Sequence, residues 1–217
     1  MNNLDYKDYL KTLNKISSAI VSDLYLEDIL KLIVTLTANV MKAKVCNVWL
    51  IDEKKQEFNI KATQSMHQEY LNKRTIQLNE GIVGLVAREK KLARKEGLVS
   101  MASIPMMVKD KVIGVLNVYT NKPYEFTKAE ITLLSTIANQ AAVAIEKTEL
   151  IVKTKIIQEE LDTRKKTERA KGILMEERNI NESEAFSLIR KSSMDKRISM
   201  KEIAEAIILS YEIRQIK

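Results

Sequence analysis

From Thr127 to Lys171 the chain contains neither glycine nor proline, and the run opens on Thr127-Lys128-Ala129-Glu130. That tetrapeptide is a capping box, in which the Thr hydroxyl and the Glu carboxylate each satisfy an orphan N–H at a helix start. One helix continuing to Gly172 constrains the fold more than any other feature. It must carry the chain from one domain to the next or pair along its length. Val143, Leu150 and Ile157 lie seven residues apart on it, with Leu161 one turn on. That spacing suits a coiled-coil seam and a homodimer, although Lys147, Thr154 and Arg164 interrupt it. The plain reading is a lone helix lying across its own domain. The run ends on an anomaly, because Gly172 sits inside a helical pattern where glycine costs ~1 kcal/mol relative to alanine. With Ala170 nearby, it fits close approach of another helix or of a nucleic-acid backbone. A tightly crossed helical bundle would account for it without any ligand.

A length of 217 residues suits two smaller domains better than one large one. The hydrophobic fraction of 45% is globular, and 30% charge with 5% aromatics points to long surface helices. The net charge of +7 permits a polyanionic partner without demanding one. Residues 151–217 hold 15 Lys and Arg against 12 Asp and Glu, a surplus of +3 that leaves +4 for the rest. Any nucleic-acid argument must therefore rest on local patches. The single Cys46 excludes an internal disulfide and cannot alone make a zinc site. The polar start Met1-Asn2-Asn3-Leu4-Asp5 does not read as a signal peptide. No apolar run approaches the ~20 residues of a membrane span, so a cytoplasmic protein with no membrane partner is expected.

Helical spacing places Tyr6, Leu10, Leu13, Ser17 and Ile20 on one face of residues 4–22, and Leu26, Ile29, Leu30, Ile33, Thr37 and Val40 on one face of 26–41. Period two then takes over: Cys46, Val48 and Leu50 alternate with Asn47, Trp49 and Ile51, so both faces of that strand should be buried. Residues 57–65 form its partner across a charged turn. Ile82, Val83, Leu85 and Val86 restart a short helix after Asn79-Glu80-Gly81. Residues 100–108 and 111–119 read as a hairpin about Lys109-Asp110-Lys111. Beyond the long helix, Asn181 with Glu184 and Ser199 with Glu202 cap two short helices. Their expected buried faces are Ala185, Leu188 and Ile189, then Ile203, Ala206, Ile207 and Ser210.

The order of helices, hairpins, Glu80-Gly81-Ile82-Val83-Gly84, Met101-Ala102-Ser103-Ile104-Pro105, Val112-Ile113-Gly114-Val115-Leu116 and Asn121-Lys122 leading to Phe126 resembles a GAF domain across about residues 10–147. The resemblance implies an antiparallel sheet flanked by helices, with a cavity that binds a small ligand or serves dimerisation; no cofactor is specified. Alternation on adjacent strands places Trp49, Met101, Ser103 and Leu116 at that pocket. Asn121, Lys122 and Phe126 partly match the motif of cyclic-nucleotide-binding members, but Glu130 stands where Asp is expected and Ile131 follows it. The Asn and Lys are equally explained as anchors of the hairpin exit. After Lys91 to Ala93 the family's longer pocket-covering segment is missing, and Arg94-Lys95-Glu96-Gly97-Leu98 follows abruptly. Either the protein lacks that segment or the sequence is interrupted there; a discontinuity between Lys91 and Arg94 is expected, with a Cα step beyond ~3.8 Å.

The segment Arg164 to Met175, followed by Ala185, Phe186, Leu188 and Arg190, resembles the ANTAR family of RNA-binding antiterminators. The resemblance implies binding to paired stem-loops in nascent transcripts, with sequence read from unpaired loop bases because the major groove of duplex RNA is too narrow for side chains. Arg164, Lys165, Arg169 and Lys171, with Arg190, Lys191, Lys196 and Arg197, are the expected RNA-contacting cations. Ala170 and Gly172 would permit close approach. Interleaved Glu159, Glu160 and Glu168 also fit an ordinary solvated helix face. No catalytic or metal set assembles: lone His67 lies in a polar stretch, and Gly81-x-x-Gly84 lacks the Gly-Lys-Ser/Thr of a phosphate loop.

The sequence is thus expected to be α+β. A GAF-like sensor occupies residues 4–147, a helical linker or coiled coil 148–163, and a small all-α three-helix RNA-binding bundle 164–217. The expected function is non-enzymatic transcription antitermination under control of a ligand-sensing domain. The alternative is a ligand sensor whose helical tail only dimerises or docks on a protein.

Overall fold

The computed structural model describes residues 3–64, 75–78, 80–89, 93–95 and 100–216. In chain order the elements are α1 (Asn3–Val21), α2 (Leu26–Val40), β1 (Val45–Asp52), β2 (Glu57–Thr63), β3 (Thr75–Gln77), α3 (Gly81–Glu89), β4 (Ala93–Lys95), β5 (Met101–Val108), β6 (Lys111–Tyr119), α4 (Lys128–Arg178), α5 (Glu182–Lys196) and α6 (Met200–Gln215). The chain divides into two compact units, Met1–Glu149 and Leu150–Lys217. Helix α4, 51 residues long, contributes to both.

In the first unit six strands form one sheet in the order β3-β2-β1-β6-β5-β4, and every neighbouring pair is antiparallel. Alternation along β1 works as expected. Cys46 and Val48 join Ala102, Ile104, Leu116 and Val118 in a core against α1, α2 and the start of α4. Trp49 joins Phe58, Ile60 and Val115 against Val83 and Val86 of α3. The β5–β6 hairpin turns through Lys109 in the left-handed conformation (φ 52°). Gly114 stands opposite Leu50, where a Cβ would lie 2.3 Å from the Trp49 carbonyl oxygen, so the strands can approach only without a side chain. The Thr127–Glu130 box closes as expected: Thr127 N–H donates to Glu130 Oε2 at 2.8 Å, and Glu130 N–H donates to Thr127 Oγ1 at 3.3 Å.

Helix α1 buries a stripe rotated from the expected one: Ile20 is inside and Leu13 packs partly against the core as expected, but Thr12, Ile16 and Ala19 are buried beside them, whereas Tyr6, Leu10 and Ser17 are exposed. The sequence offers two adjacent apolar stripes, and packing against α2 selects the one holding Ile16. The expected discontinuity between Lys91 and Arg94 involves residues 91–92, and His67 lies in 65–74; both are outside the described residues.

In the second unit the end of α4 packs with α5 and α6 around Ala170, Leu174, Ala185, Ile189, Ile203 and Ala204. Helix α4 ends at Asn179, which takes φ 50°. Both predicted capping boxes are formed, Asn181 with Glu184 and Ser199 with Glu202. On α6 the small buried residue is Ala204, whereas Ala206 and Ser210 are exposed, so the buried stripe is rotated from the expected one.

Candidate functional site

The second unit sorts its cations into two groups. Lys166 Nζ lies 2.8 Å from Asp162 and 2.7 Å from Glu205, while Lys201 Nζ lies 2.7 Å from the same Asp162. Arg169 pairs with Glu212 at 2.7 Å, and Arg214 with Glu177 at 2.9 Å. Apart from the Lys166–Asp162 pair within α4, these contacts link α4 to α6. Hydrogen bonds from Lys166, then from Lys201, hold the Asp162 carboxyl down at about 2. By contrast, Arg164, Lys165, Arg190, Lys191, Lys196 and Arg197 have no carboxylate partner among the described residues.

Four of those unpaired cations are spread over the second half and C-cap of α5. Arg190, Lys191 and Lys196 lie on its second half, all exposed. Arg197 is its C-cap in the left-handed conformation (φ 54°), and its N–H donates to Met194 and Ser193 carbonyls. Cations are favoured at a helix C-terminus, where the carbonyl ends carry partial negative charge. They would be tolerated there without a ligand. Their freedom from carboxylates is what leaves them available to phosphate. On α4 the two free cations differ. Arg164 lines a groove with Glu159, Glu160 and Glu168, whose charge opposes a polyanion. Lys165 lines a groove whose carboxylates, Glu205 and Glu212, are already paired with Lys166 and Arg169.

Two of the ten expected RNA residues need correction. Ala170 is fully buried against α5 and α6, so its small size serves helix packing and it offers no surface to RNA. Lys171 is not on an exposed face: its side chain is 8% exposed, with Nζ at 2.9 Å from Glu168 and 2.6 Å from Glu182. The Glu168 pairing was readable as an i, i+3 spacing. Glu182 was not, because it reaches Lys171 only through the tertiary turn between α4 and α5. Gly172 is exposed, and a Cβ there would meet nothing within 4 Å. No contact in the described fold calls for glycine at this point.

In the first unit, register places Trp49, Met101 and Ser103 on one face of the sheet: Trp49 stands opposite Val115, Ser103 opposite Asn117 and Met101 opposite Tyr119. Leu116 corrects the expectation. It stands opposite Val48, one residue out of phase, and packs into the core with α1, α2 and α4. The α3-side face holds polar groups that sequence reading passed over. Ser103 Oγ donates to Asn117 Oδ1 at 2.5 Å, and Trp49 Nε1 donates to Asn47 Oδ1 at 2.9 Å. Asn47 had alternated in phase with Trp49 in the sequence, which was the available signal, whereas the phase of Asn117 follows only from its pairing with Asn47. Asn121 and Lys122 are exposed; the hairpin exit is tied instead by Thr120 Oγ1 donating to the Lys122 carbonyl and by Tyr124 N–H donating to Ser100 Oγ, both at 2.8 Å. Cys46 is fully buried, and burial pushes its thiol far above the usual range, which removes it as a nucleophile in the folded chain.

Among the described residues no helix is long and apolar enough to cross a membrane, and no group of three or more His, Cys, Asp or Glu could hold a metal ion. A GAF domain family model matches residues 24–146, and an ANTAR domain model matches residues 156–208. Transcriptional regulatory protein PdtaR from Mycobacterium tuberculosis is 42% identical over 52 residues, 24% of this chain and 25% of that protein. The chain thus spans about a quarter of the length of the curated relatives it matches. Among solved structures, the GAF domain of an Acinetobacter phosphoenolpyruvate-protein phosphotransferase is 29% identical with a TM-score of 0.61, covering 70% of this chain and 98% of that one. Free methionine-R-sulfoxide reductase from Neisseria meningitidis, at 15% identity and TM-score 0.60 over 70% and 95%, shares the fold.

Proposed function

Because the chain belongs to the GAF domain family and carries an ANTAR domain after that unit, we propose that it is a transcription antitermination regulator acting in the cytoplasm. Its helical unit binds stem-loops in nascent leader RNA, and its sheet domain senses a small molecule. No catalytic step is assigned to it. The similarity to a transcriptional regulatory protein over 52 residues supports this reading. The observation that carries it is the set of exposed, carboxylate-free cations over the second half and C-cap of α5: Arg190, Lys191, Lys196 and Arg197. They can meet phosphates without breaking an existing ion pair. Lys165 and the side-chain-free surface at Gly172 supply a second contact region on α4, with Arg164 at its acidic margin; Arg169 would join it only by leaving Glu212. Regulation follows if ligand occupancy on the Trp49, Met101 and Ser103 face changes how two copies present these surfaces.

The test is binding of the full chain to an in vitro transcribed leader RNA with two adjacent small hairpins, measured by fluorescence anisotropy over a range of salt. Affinity should fall linearly with log salt, and replacing Arg190, Lys191, Lys196 and Arg197 by Gln should reduce the slope by about one for each phosphate that is no longer neutralised. Equal binding to a scrambled RNA, or none at low salt, rejects the reading.

One observation bears on the alternative of a tail that only dimerises. Leu150, Ile156, Ile157 and Leu161 are all exposed on α4. They fit a seam with the same helix of a second copy, which the antiterminator reading also uses. Sedimentation of the chain and of Ile157→Lys reads this directly. A dimer without RNA binding would select the alternative.

A further inference from the structure

The geometry points to Lys171 as a positioning residue: it ties the start of α5 to α4 through Glu168 and Glu182, and thereby sets where the free cations at the far end of α5 stand. This inference rests on the RNA-binding reading and assigns Lys171 a role other than RNA contact.

Three observations carry it. The Lys171 side chain is 8% exposed, whereas that of Arg169 is 59% exposed. Its ammonium lies 2.9 Å from Glu168 on its own helix and 2.6 Å from Glu182, the first residue of α5. Two carboxylates around one ammonium leave a local charge of one negative unit. A phosphate would be repelled there, and it would have to break two charge-assisted hydrogen bonds to be held. The core below it, with Ala170, Leu174, Ala185 and Ile189, packs the two helices together without direction, whereas an ion pair across the turn is directional and adds a restraint at the α4–α5 junction.

The two roles predict opposite signs when the carboxylates are removed. In Glu168→Gln/Glu182→Gln, a phosphate-contacting Lys171 would be released from its partners and freed of neighbouring repulsion, so affinity for the two-hairpin RNA would rise. A positioning Lys171 loses its anchor, so affinity should fall, by roughly fivefold or more for an effect transmitted to a separate site. Lys171→Met should also weaken binding while leaving the salt slope unchanged; removal of a cation that neutralises a phosphate would lower the slope by about one. Glu182 is 69% exposed, so Glu182→Gln alone keeps the test open if the Lys171 variant fails to fold.

A second measurement is independent of RNA. With Cys46 buried, spin labels on cysteines introduced at exposed Glu176 and Ser187 report the α4–α5 separation in the full chain. The double glutamine variant should broaden that distance distribution. An unchanged narrow distribution, or a gain in RNA affinity, overturns the positioning role. Failure of the unaltered chain to bind RNA overturns the functional reading instead, and the label distances still decide whether the clamp exists.

Discussion

Gly172→Ala separates what the fold needs from what a partner needs. Position 172 is inside α4 and exposed, and the added Cβ finds no atom within 4 Å. No steric cost offsets the change in backbone entropy, so alanine should stabilise the helix by about 0.8–1.0 kcal/mol. In a unit spanning Leu150–Lys217 such a gain raises Tm by roughly 4–8 °C. Thermal and urea unfolding followed by circular dichroism at 222 nm would read it. If an RNA backbone approaches α4 at this point, the same methyl group holds it off, and affinity for the two-hairpin RNA should drop by about 1–3 kcal/mol, the usual cost of overpacking a close contact. A more stable protein that binds RNA less well is the expected result. A fall in stability would refute the open space around the Cβ. A rise in stability with unchanged RNA affinity would refute the role of Gly172 in recognition. Weaker self-association with normal RNA binding would assign the glycine to a helix pair.

Gly114→Ala should destabilise the first unit by about 1–3 kcal/mol or more, because the new Cβ meets the Trp49 backbone carbonyl rather than a movable side chain; Trp49, the sole tryptophan, reports the unfolding by fluorescence. Asp162 is held at about 2 in the folded chain against ~3.9 for an unperturbed Asp, so its contribution is present above ~3.9 and lost as the pH falls through about 2. Glu182, held low by Lys171, and Glu202, held low by Ser199, have the same sign. Helix content of the second unit should therefore decay in acid, and Asp162→Asn should flatten that dependence in a pH titration followed by circular dichroism. Cys46 should resist a thiol reagent in the native protein and react only at the unfolding rate; rapid labelling of folded protein would contradict its burial.

Local chemistry made much of the fold legible. The capping boxes at Thr127, Asn181 and Ser199 depend on residues three apart in sequence, and all three formed. Alternation in β1 is equally local, and it foretold burial on both faces. What escaped depended on neighbours distant in the chain. The rotation of α1 is chosen by α2, and that of α6 by the helices it covers. Leu116 was misplaced because a one-residue change in phase moves a side chain to the other face of the sheet. Lys171 looked like a surface cation because nothing near it in sequence announces Glu182.

Arg197 has an evolutionary consequence. Helix α4 ends on Asn179, a residue that tolerates the left-handed conformation, whereas α5 ends on Arg197 in nearly the same conformation. Glycine would relieve the Cβ crowding that an arginine suffers there. Backbone strain would therefore push this position toward glycine, while the negative carbonyl end of α5 and a polyanionic partner would both favour arginine. Relatives that keep the bundle but have lost the polyanionic partner should accumulate glycine or asparagine here, while retaining the buried alanines that hold the helices together. Position 197 would then be a tracer of lost function, in a surface where sequence change otherwise leaves little mark.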